Sequence, residues 1–157
     1  MRPRNEKNYS KEINQHLNEL IIKERKPATE IADDFPKYAS RQAISRFLAQ
    51  YELFKMILNN KGSIVECGIF RGSGLMTWAK LSAIFEPTNY HREIIGFDTF
   101  SGFPDVNTKD KAENRNVDAK KGGIFADSYN ELKRVINLHD LNRFLSHIDK
   151  VKLVKGD

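Results

Sequence analysis

This sequence of 157 residues has a single cysteine and no long hydrophobic run. One cysteine, Cys67, excludes an intrachain disulfide and is typical of a reducing cytoplasm, where we expect the protein to lie. We interpret Cys67 as a small buried hydrophobe rather than as a nucleophile. No apolar run approaches about 18 residues and the N-terminus is polar, so we predict neither a transmembrane helix nor a secretory signal.

The sequence also lacks the residue spacing of metal sites. None of the four histidines has the paired spacing of a zinc ligand, and we predict that all four lie on the surface: His16, His91, His139 and His147. The net charge of +5 permits phosphate contacts, but lysines and arginines are interleaved with acids and no recognition helix is apparent. We therefore predict no metal site, no nucleic-acid partner and no membrane partner.

The most informative stretch is IVECGIFRGSG, residues 64–74. Its β-branched residues predict a buried strand, and its three glycines predict a tight turn that leads into a helix. The order E-x-G-x-x-x-G-x-G differs from the G-x-G-x-x-G of dinucleotide sites, where a pyrophosphate lies at the helix N-terminus. Glu66 would repel a pyrophosphate and attract a cation, such as the sulfonium of S-adenosylmethionine. An ordinary tight turn of an α/β protein is the alternative.

A second short apolar run, EIIGFD at residues 93–98, ends in an acid. In a βαβ unit, an acidic residue at the end of the second strand can accept hydrogen bonds from the ribose hydroxyls of a nucleoside. Asp98 therefore predicts a nucleoside site, although aspartate is also common in turns and caps.

Together, IVECGIFRGSG, IIGFDTFSGFPD and VKLVKGD resemble the macrocin O-methyltransferase (TylF-like) family, over roughly residues 38–157. These class I methyltransferases use S-adenosylmethionine, have a Rossmann-like fold and methylate sugar hydroxyls in natural-product pathways. The resemblance implies an enzyme that methylates a sugar hydroxyl of a natural product or nucleotide-sugar. It implies cofactor-binding roles for Glu66, Gly68, Gly72, Ser73, Gly74, Asp98, Thr99, Phe100 and Asp157. Phe100 or Phe103 would pack on the adenine, or either would cover the end of the sheet.

Two parts are predicted along the chain. Residues 1–37 read as an N-terminal segment, partly disordered, with a helix at 10–26 capped by Ser10 and an irregular connector at 27–37. That helix would lie on the domain or on a partner subunit, or act as a lid or dimer arm. The sequence therefore leaves open whether the protein forms a homo-oligomer. Residues 38–157 read as the cofactor-binding half of a methyltransferase domain.

Strands and helices alternate in this second part. The pattern predicts strands at 64–66, 94–97 and 151–154 and helices at 40–58, 75–85, 128–138 and 140–148. Ser40 is the expected cap of the first helix, and Ser128-x-x-Glu131 matches a capping box. The polar segment 105–123 predicts a mobile lid at the ligand-binding edge of the sheet.

The predicted α/β fold is the N-terminal half of a Rossmann-like methyltransferase sheet, strands one to three, plus N-terminal helices. We expect the other half, with the acceptor pocket and any magnesium ligands, to be absent, and the isolated chain to be inactive. The catalytic residues are therefore unknown. There are two alternatives, a nicotinamide-dependent oxidoreductase fragment and a non-catalytic interaction module. Glu66 argues against the oxidoreductase, because its carboxylate would repel the pyrophosphate of the dinucleotide.

Overall fold

The computed structural model describes residues 6–107 and 120–156 of the chain. The chain divides into two compact units, Met1–Arg46 and Phe47–Asp157. The predicted lid falls mostly on residues 108–119, which lie outside the described residues, as does Asp157. None of the helices in the described part has both the length and the apolar composition needed to span a bilayer.

The first unit is more helical than the sequence predicts. Helix α1 is Glu6–Glu24, so Ser10 lies inside the helix and the predicted cap at that position is wrong. Two short helices, α2 (Ala28–Asp33) and α3 (Phe35–Tyr38), occupy the segment that was expected to be an irregular connector. Proline is tolerated in the first turn of a helix, where the backbone N–H groups have no partner inside the helix.

Helix α4 (Arg41–Ile57) begins in the first unit and ends in the second. The Ser40 hydroxyl accepts a hydrogen bond from the backbone N–H of Ala43 at 3.1 Å, which confirms the predicted cap. The last turns of α4 bury Phe54 completely, and the centroid of its ring lies 6.3 Å from the centroid of the Phe85 ring.

Three parallel strands form the sheet of the second unit. They are β1 (Ile64–Cys67), β2 (Ile94–Asp98) and β3 (Val151–Lys155), in the order β1-β2-β3. Ile64 pairs with Ile94, which in turn pairs with Val151, so the three strands are aligned from their first residues. The strand-helix-strand-helix-strand order confirms the predicted α/β class.

Helices α5 (Ser73–Phe85) and α6 (Tyr129–Leu141) connect the strands. Both pack on one face of the sheet, where their apolar side chains form a single core with the strands: Ile69, Leu75, Met76, Ala79, Ile94, Phe100, Leu132, Ile136 and Val151. Gly96 permits the close approach of α5, because a Cβ at that position would lie 2.8 Å from Leu75 Cδ2.

The structure corrects four predictions in this unit. The segment expected to be a helix at 140–148 has only its first residues in α6, and Leu141 and Phe144 are largely exposed. His139 is buried rather than at the surface, and Cys67 is exposed rather than buried. Ser128 precedes α6, but its side chain makes no capping hydrogen bond.

Candidate functional site

The glycine-rich loop lies at the carboxyl end of β1. Gly68 and Gly72 have φ angles of 74° and 76°, the left-handed region that glycine adopts without steric cost. The N–H of Gly68 donates to the carbonyl oxygen of Phe97 on β2 at 2.8 Å, which fixes the loop beside the second strand. Gly72 immediately precedes α5, and a Cβ there would lie 2.1 Å from Leu132 Cδ2. The backbone therefore passes close to α6 and leads directly into the N-terminus of α5.

Asp98 joins this loop to the end of β2. Its Oδ2 accepts a hydrogen bond from the Phe70 N–H at 2.8 Å, and its Oδ1 accepts one from the Phe100 N–H at 2.7 Å. A carboxylate has about four lone-pair positions, so these two bonds leave acceptor capacity for two further donors. Asp98 is half-buried at the carboxyl end of β2.

Thr99 and Phe100 shape the turn after β2. The Thr99 hydroxyl donates to the carbonyl oxygen of Gly102 at 2.7 Å and accepts from the N–H of Ser101 at 3.2 Å. Phe100 is only 6% exposed and meets the Tyr129 ring edge to face, with centroids 4.9 Å apart. Phe100 thus packs in the core, and its predicted contact with the cofactor stays a prediction.

Glu66 points toward α5. The indole N–H of Trp78 donates to Glu66 Oε2 at 2.8 Å, and a Cβ on Gly74 would lie 2.4 Å from Glu66 Oε1. Burial raises the pKa of the Glu66 carboxyl above its ordinary value. The hydrogen bond from Trp78 opposes this rise but is the smaller effect. Gly74 is needed at this position because the carboxylate occupies the space that a side chain would fill. The carboxylate also lies beside the helix N-terminus, where negative charge is favourable.

Eight of the nine sequence-predicted cofactor residues therefore come together at the carboxyl edge of β1 and β2. The ninth, Asp157, is two positions beyond Lys155, which pairs with Asp98 across the sheet. Within the described ranges, no three His, Cys, Asp or Glu side chains are grouped so that they could hold a metal ion.

Sequence reasoning missed the role of Ser128. This buried side chain donates to the carbonyl oxygen of Phe70 at 2.5 Å, 58 positions earlier in the chain. The S-x-x-E pattern correctly located the start of a helix but assigned the hydroxyl to the wrong partner. No local signal marks a contact with such a distant carbonyl.

A cavity of about 430 Å³ lies at the opposite, amino-terminal edge of the sheet. Arg92 lines it. The Arg92 guanidinium donates hydrogen bonds to the Glu86 carboxylate and to three backbone carbonyl oxygens, those of Ile57, Asn60 and Gly62. These four hydrogen bonds tie the end of α4 and the end of α5 to the start of β2. We interpret this arrangement as structural, because its charged group is already paired.

Comparison with known proteins agrees with the fold. No family model and no curated protein matches the chain. A crystal structure of the calicheamicin methyltransferase CalS11 matches with 31% identity and a TM-score of 0.85, over 100% of this chain and 60% of that one. An apo structure of CalS11, described as a TDP-rhamnose 3′-O-methyltransferase of calicheamicin biosynthesis, matches with 26% identity and a TM-score of 0.74, over 100% of this chain and 58% of that one.

The three-stranded parallel sheet and its helices are therefore part of a methyltransferase fold. The chain spans about 60% of the length of the CalS11 chain. The predicted fold class is confirmed at this level. The narrower resemblance to macrocin O-methyltransferases stays a prediction, because the matched structures are of another sugar methyltransferase.

Proposed function

We propose that this chain forms the cofactor-binding half of an S-adenosylmethionine-dependent O-methyltransferase that acts on a sugar hydroxyl. The observation that carries the proposal is the joint position of Asp98 and the glycine-rich loop, which are linked by the Phe70 N–H. The match to CalS11 supports the same reaction class, because that protein is described as a sugar O-methyltransferase.

Each site residue has a role in the proposal. Asp98 accepts hydrogen bonds from the ribose hydroxyls with the lone pairs left free by its two backbone bonds. The backbone at Gly68 and Gly72, and the first turn of α5 at Ser73 and Gly74, approach the amino-acid end of the cofactor. A carboxylate there adds attraction for its ammonium group, and Glu66 supplies that charge. Thr99 and Phe100 hold the turn beside the nucleoside, and Asp157 is assigned to the adenine end.

The bound cofactor would supply a methyl group made electrophilic by a sulfonium. The residues of this chain would hold and orient it, and fixed orientation is a large part of catalysis in a bimolecular transfer. We assign no base within the chain, and we expect the acceptor pocket and any magnesium ligands to be supplied by residues outside it. On this basis the chain alone binds cofactor but is inactive.

Several finer assignments belong to the same proposal. They are membership of the macrocin O-methyltransferase family, a cytoplasmic location, a small-molecule acceptor that is a natural product or nucleotide-sugar, and a boundary between residues 37 and 38. The proposal includes no nucleic-acid or membrane partner and leaves a homo-oligomer open.

Calorimetric titration of the chain with S-adenosylhomocysteine, with NAD as the control ligand, tests the proposal. We expect binding of S-adenosylhomocysteine only. Asp98→Asn should weaken it roughly tenfold, because an amide nitrogen can accept a hydrogen bond neither from a ribose hydroxyl nor from the backbone N–H that it would face. Asp149→Asn is the matched control, since Asp149 is exposed and precedes β3 at the other end of the sheet, and it should bind as the parent chain does.

Two results would contradict the proposal. Binding of NAD in place of S-adenosylhomocysteine would favour the oxidoreductase alternative. Failure to bind either ligand, in a chain that unfolds cooperatively on heating, would favour a non-catalytic module.

A further inference from the structure

Phe70 holds an unfavourable backbone conformation in the middle of the candidate site. Its φ is 53°, in the left-handed region, where a side chain with a Cβ is strained and glycine is not. The flanking loop contains glycines at 68 and 72, so a glycine-rich segment has a large aromatic residue at one of its left-handed positions. Such outliers persist where the surroundings hold them, and they cluster at functional sites.

The surroundings hold the Phe70 backbone from both sides. Its N–H donates to Asp98 Oδ2 at 2.8 Å, and its carbonyl oxygen accepts from the Ser128 hydroxyl at 2.5 Å. Ser128 is 2% exposed, so this second bond is shielded from water. The two bonds connect residue 70 to the end of β2 and to the start of α6.

The ring held in this way is not part of the core. Phe70 is 38% exposed, and the guanidinium carbon of Arg71 lies 5.3 Å from its centroid. Phe100 offers a direct comparison, because its φ is also 53° but its ring is 6% exposed and packs in the core. Burial explains the strain at Phe100, whereas at Phe70 the strained backbone presents a ring to the surface.

We propose that the Phe70 ring contacts the nucleoside bound at Asp98, and that Ser128 is a positioning residue that holds the ring in place. The inference rests on the proposed function and adds two residues to its site. Asp98 is one hydrogen bond from the backbone of residue 70, so a ribose on the same carboxylate lies beside that residue. An aromatic ring against a nucleoside gives apolar contact and stacking that are favourable for any base.

Three substitutions at one position separate contact from structure. Phe70→Tyr keeps the ring, whereas Phe70→Gly and Phe70→Ala both remove it. Glycine also removes the backbone strain, while alanine keeps it. We expect Phe70→Tyr to bind S-adenosylhomocysteine within about twofold of the parent chain, and both smaller residues to bind about tenfold more weakly. Phe70→Gly should nevertheless melt about 2–4 °C above Phe70→Ala.

Ser128 is tested through its coupling to Phe70. Ser128→Ala removes the donor to the Phe70 carbonyl and should weaken binding several-fold, whereas Ser128→Thr keeps a hydroxyl and should restore most of the affinity. In a chain that already carries Phe70→Ala, the Ser128→Ala change should cause no further loss of affinity. A residue that acts only on overall stability would give additive losses instead.

Each outcome has a distinct meaning. If the parent chain fails to bind S-adenosylhomocysteine, the proposed function and this inference are both rejected. If the parent binds and the Gly and Ala variants both bind as tightly as the parent, only the role of Phe70 is rejected. If affinity follows melting temperature, so that the Gly variant binds more tightly than the Ala variant, residue 70 is structural and the inference is again overturned.

Discussion

On one face of the sheet Ile94 is fully buried and Val151 is 7% exposed, whereas on the other face Val65 is 57% exposed and Phe97 and Val154 are each 38% exposed. Successive side chains of a strand point to opposite faces, and the register places Ile64, Ile94 and Val151 in one row. Helices α5 and α6 pack on the face with this row, which we name the covered face. The face with Val65, Phe97 and Val154 is the open face.

This difference teaches that apolar composition does not tell which face of a strand is buried. Ile95 and Val65 are as hydrophobic as their neighbours Ile94 and Ile64, as is usual for parallel strands, which read as continuous apolar runs. Only the helices that follow each strand distinguish the faces. Stability in this unit should therefore depend on the covered face, and the following predictions test that expectation.

The largest effect is expected from cutting back one side chain on the covered face. Ile94→Ala should lower the free energy of unfolding by about 2–5 kcal/mol, because it leaves a cavity against the core of α5 and α6. Ile95→Ala is the matched control, since it makes the same change one residue later on the opposite face, where the side chain is half-buried. Urea unfolding measures both.

Equal losses for the two variants would show that both faces contribute equally to the free energy of unfolding, and would contradict the distinction between the covered face and the open face. If Ile94→Ala does not fold, Ile94→Val gives the same test with an expected loss of about 0.5–1.5 kcal/mol, and Ile95→Val should lose less.

An intermediate effect is expected from His139, on the buried side of α6. Its Nε2 is buried and has no hydrogen-bond partner in the described part of the chain. Burial, assisted by the positive charge of Lys80, lowers the pKa of His139 to about 4 from its ordinary 6.5. The folded chain therefore keeps this imidazole neutral at a pH where the unfolded chain protonates it. The contribution to stability is full above pH 6.5 and is lost as the pH falls toward about 4.

The predicted loss from His139 is up to about 3 kcal/mol across this range. Urea unfolding at pH 7.5 and at about pH 4.5 measures it. His139→Leu should reduce the pH dependence, while His147→Leu should leave it unchanged because His147 is exposed. If the two variants show the same pH dependence as the parent chain, His139 is not the group that titrates.

Sequence reasoning located the strands and most helices because their signals are local. Runs of β-branched residues fixed β1, β2 and β3, and the Ser40 cap fixed the start of α4. The carboxyl-edge positions of Glu66 and Asp98 followed from strand order alone, since parallel strands end at the same edge.

The error at Ser128 has a tertiary cause, whereas the error at His139 does not. Ser128 has a cap sequence, but its hydroxyl bonds a carbonyl in the glycine-rich loop. His139 follows Leu132 and Ile136 at seven and three positions, and this helical spacing could have indicated a buried side chain. At Leu141 and Phe144 the error was the reverse: apolar side chains at helical spacing were predicted to be buried. Helix α6 ends at Leu141, and both side chains face solvent.

The smallest effect is expected on the open face. Val65→Thr replaces a methyl group by a hydroxyl of similar size at a site that is 57% exposed, so the free energy of unfolding should change by no more than about 0.5 kcal/mol. Val151→Thr is the same change on the covered face at a site that is 7% exposed, and it should cost about 1–3 kcal/mol, because the hydroxyl loses its water. Urea unfolding compares them. A loss from Val65→Thr as large as that from Val151→Thr would mean that the open face is covered in solution. Cys67 pairs with Phe97 and lies on the same face, so its thiol should then react slowly in the folded chain.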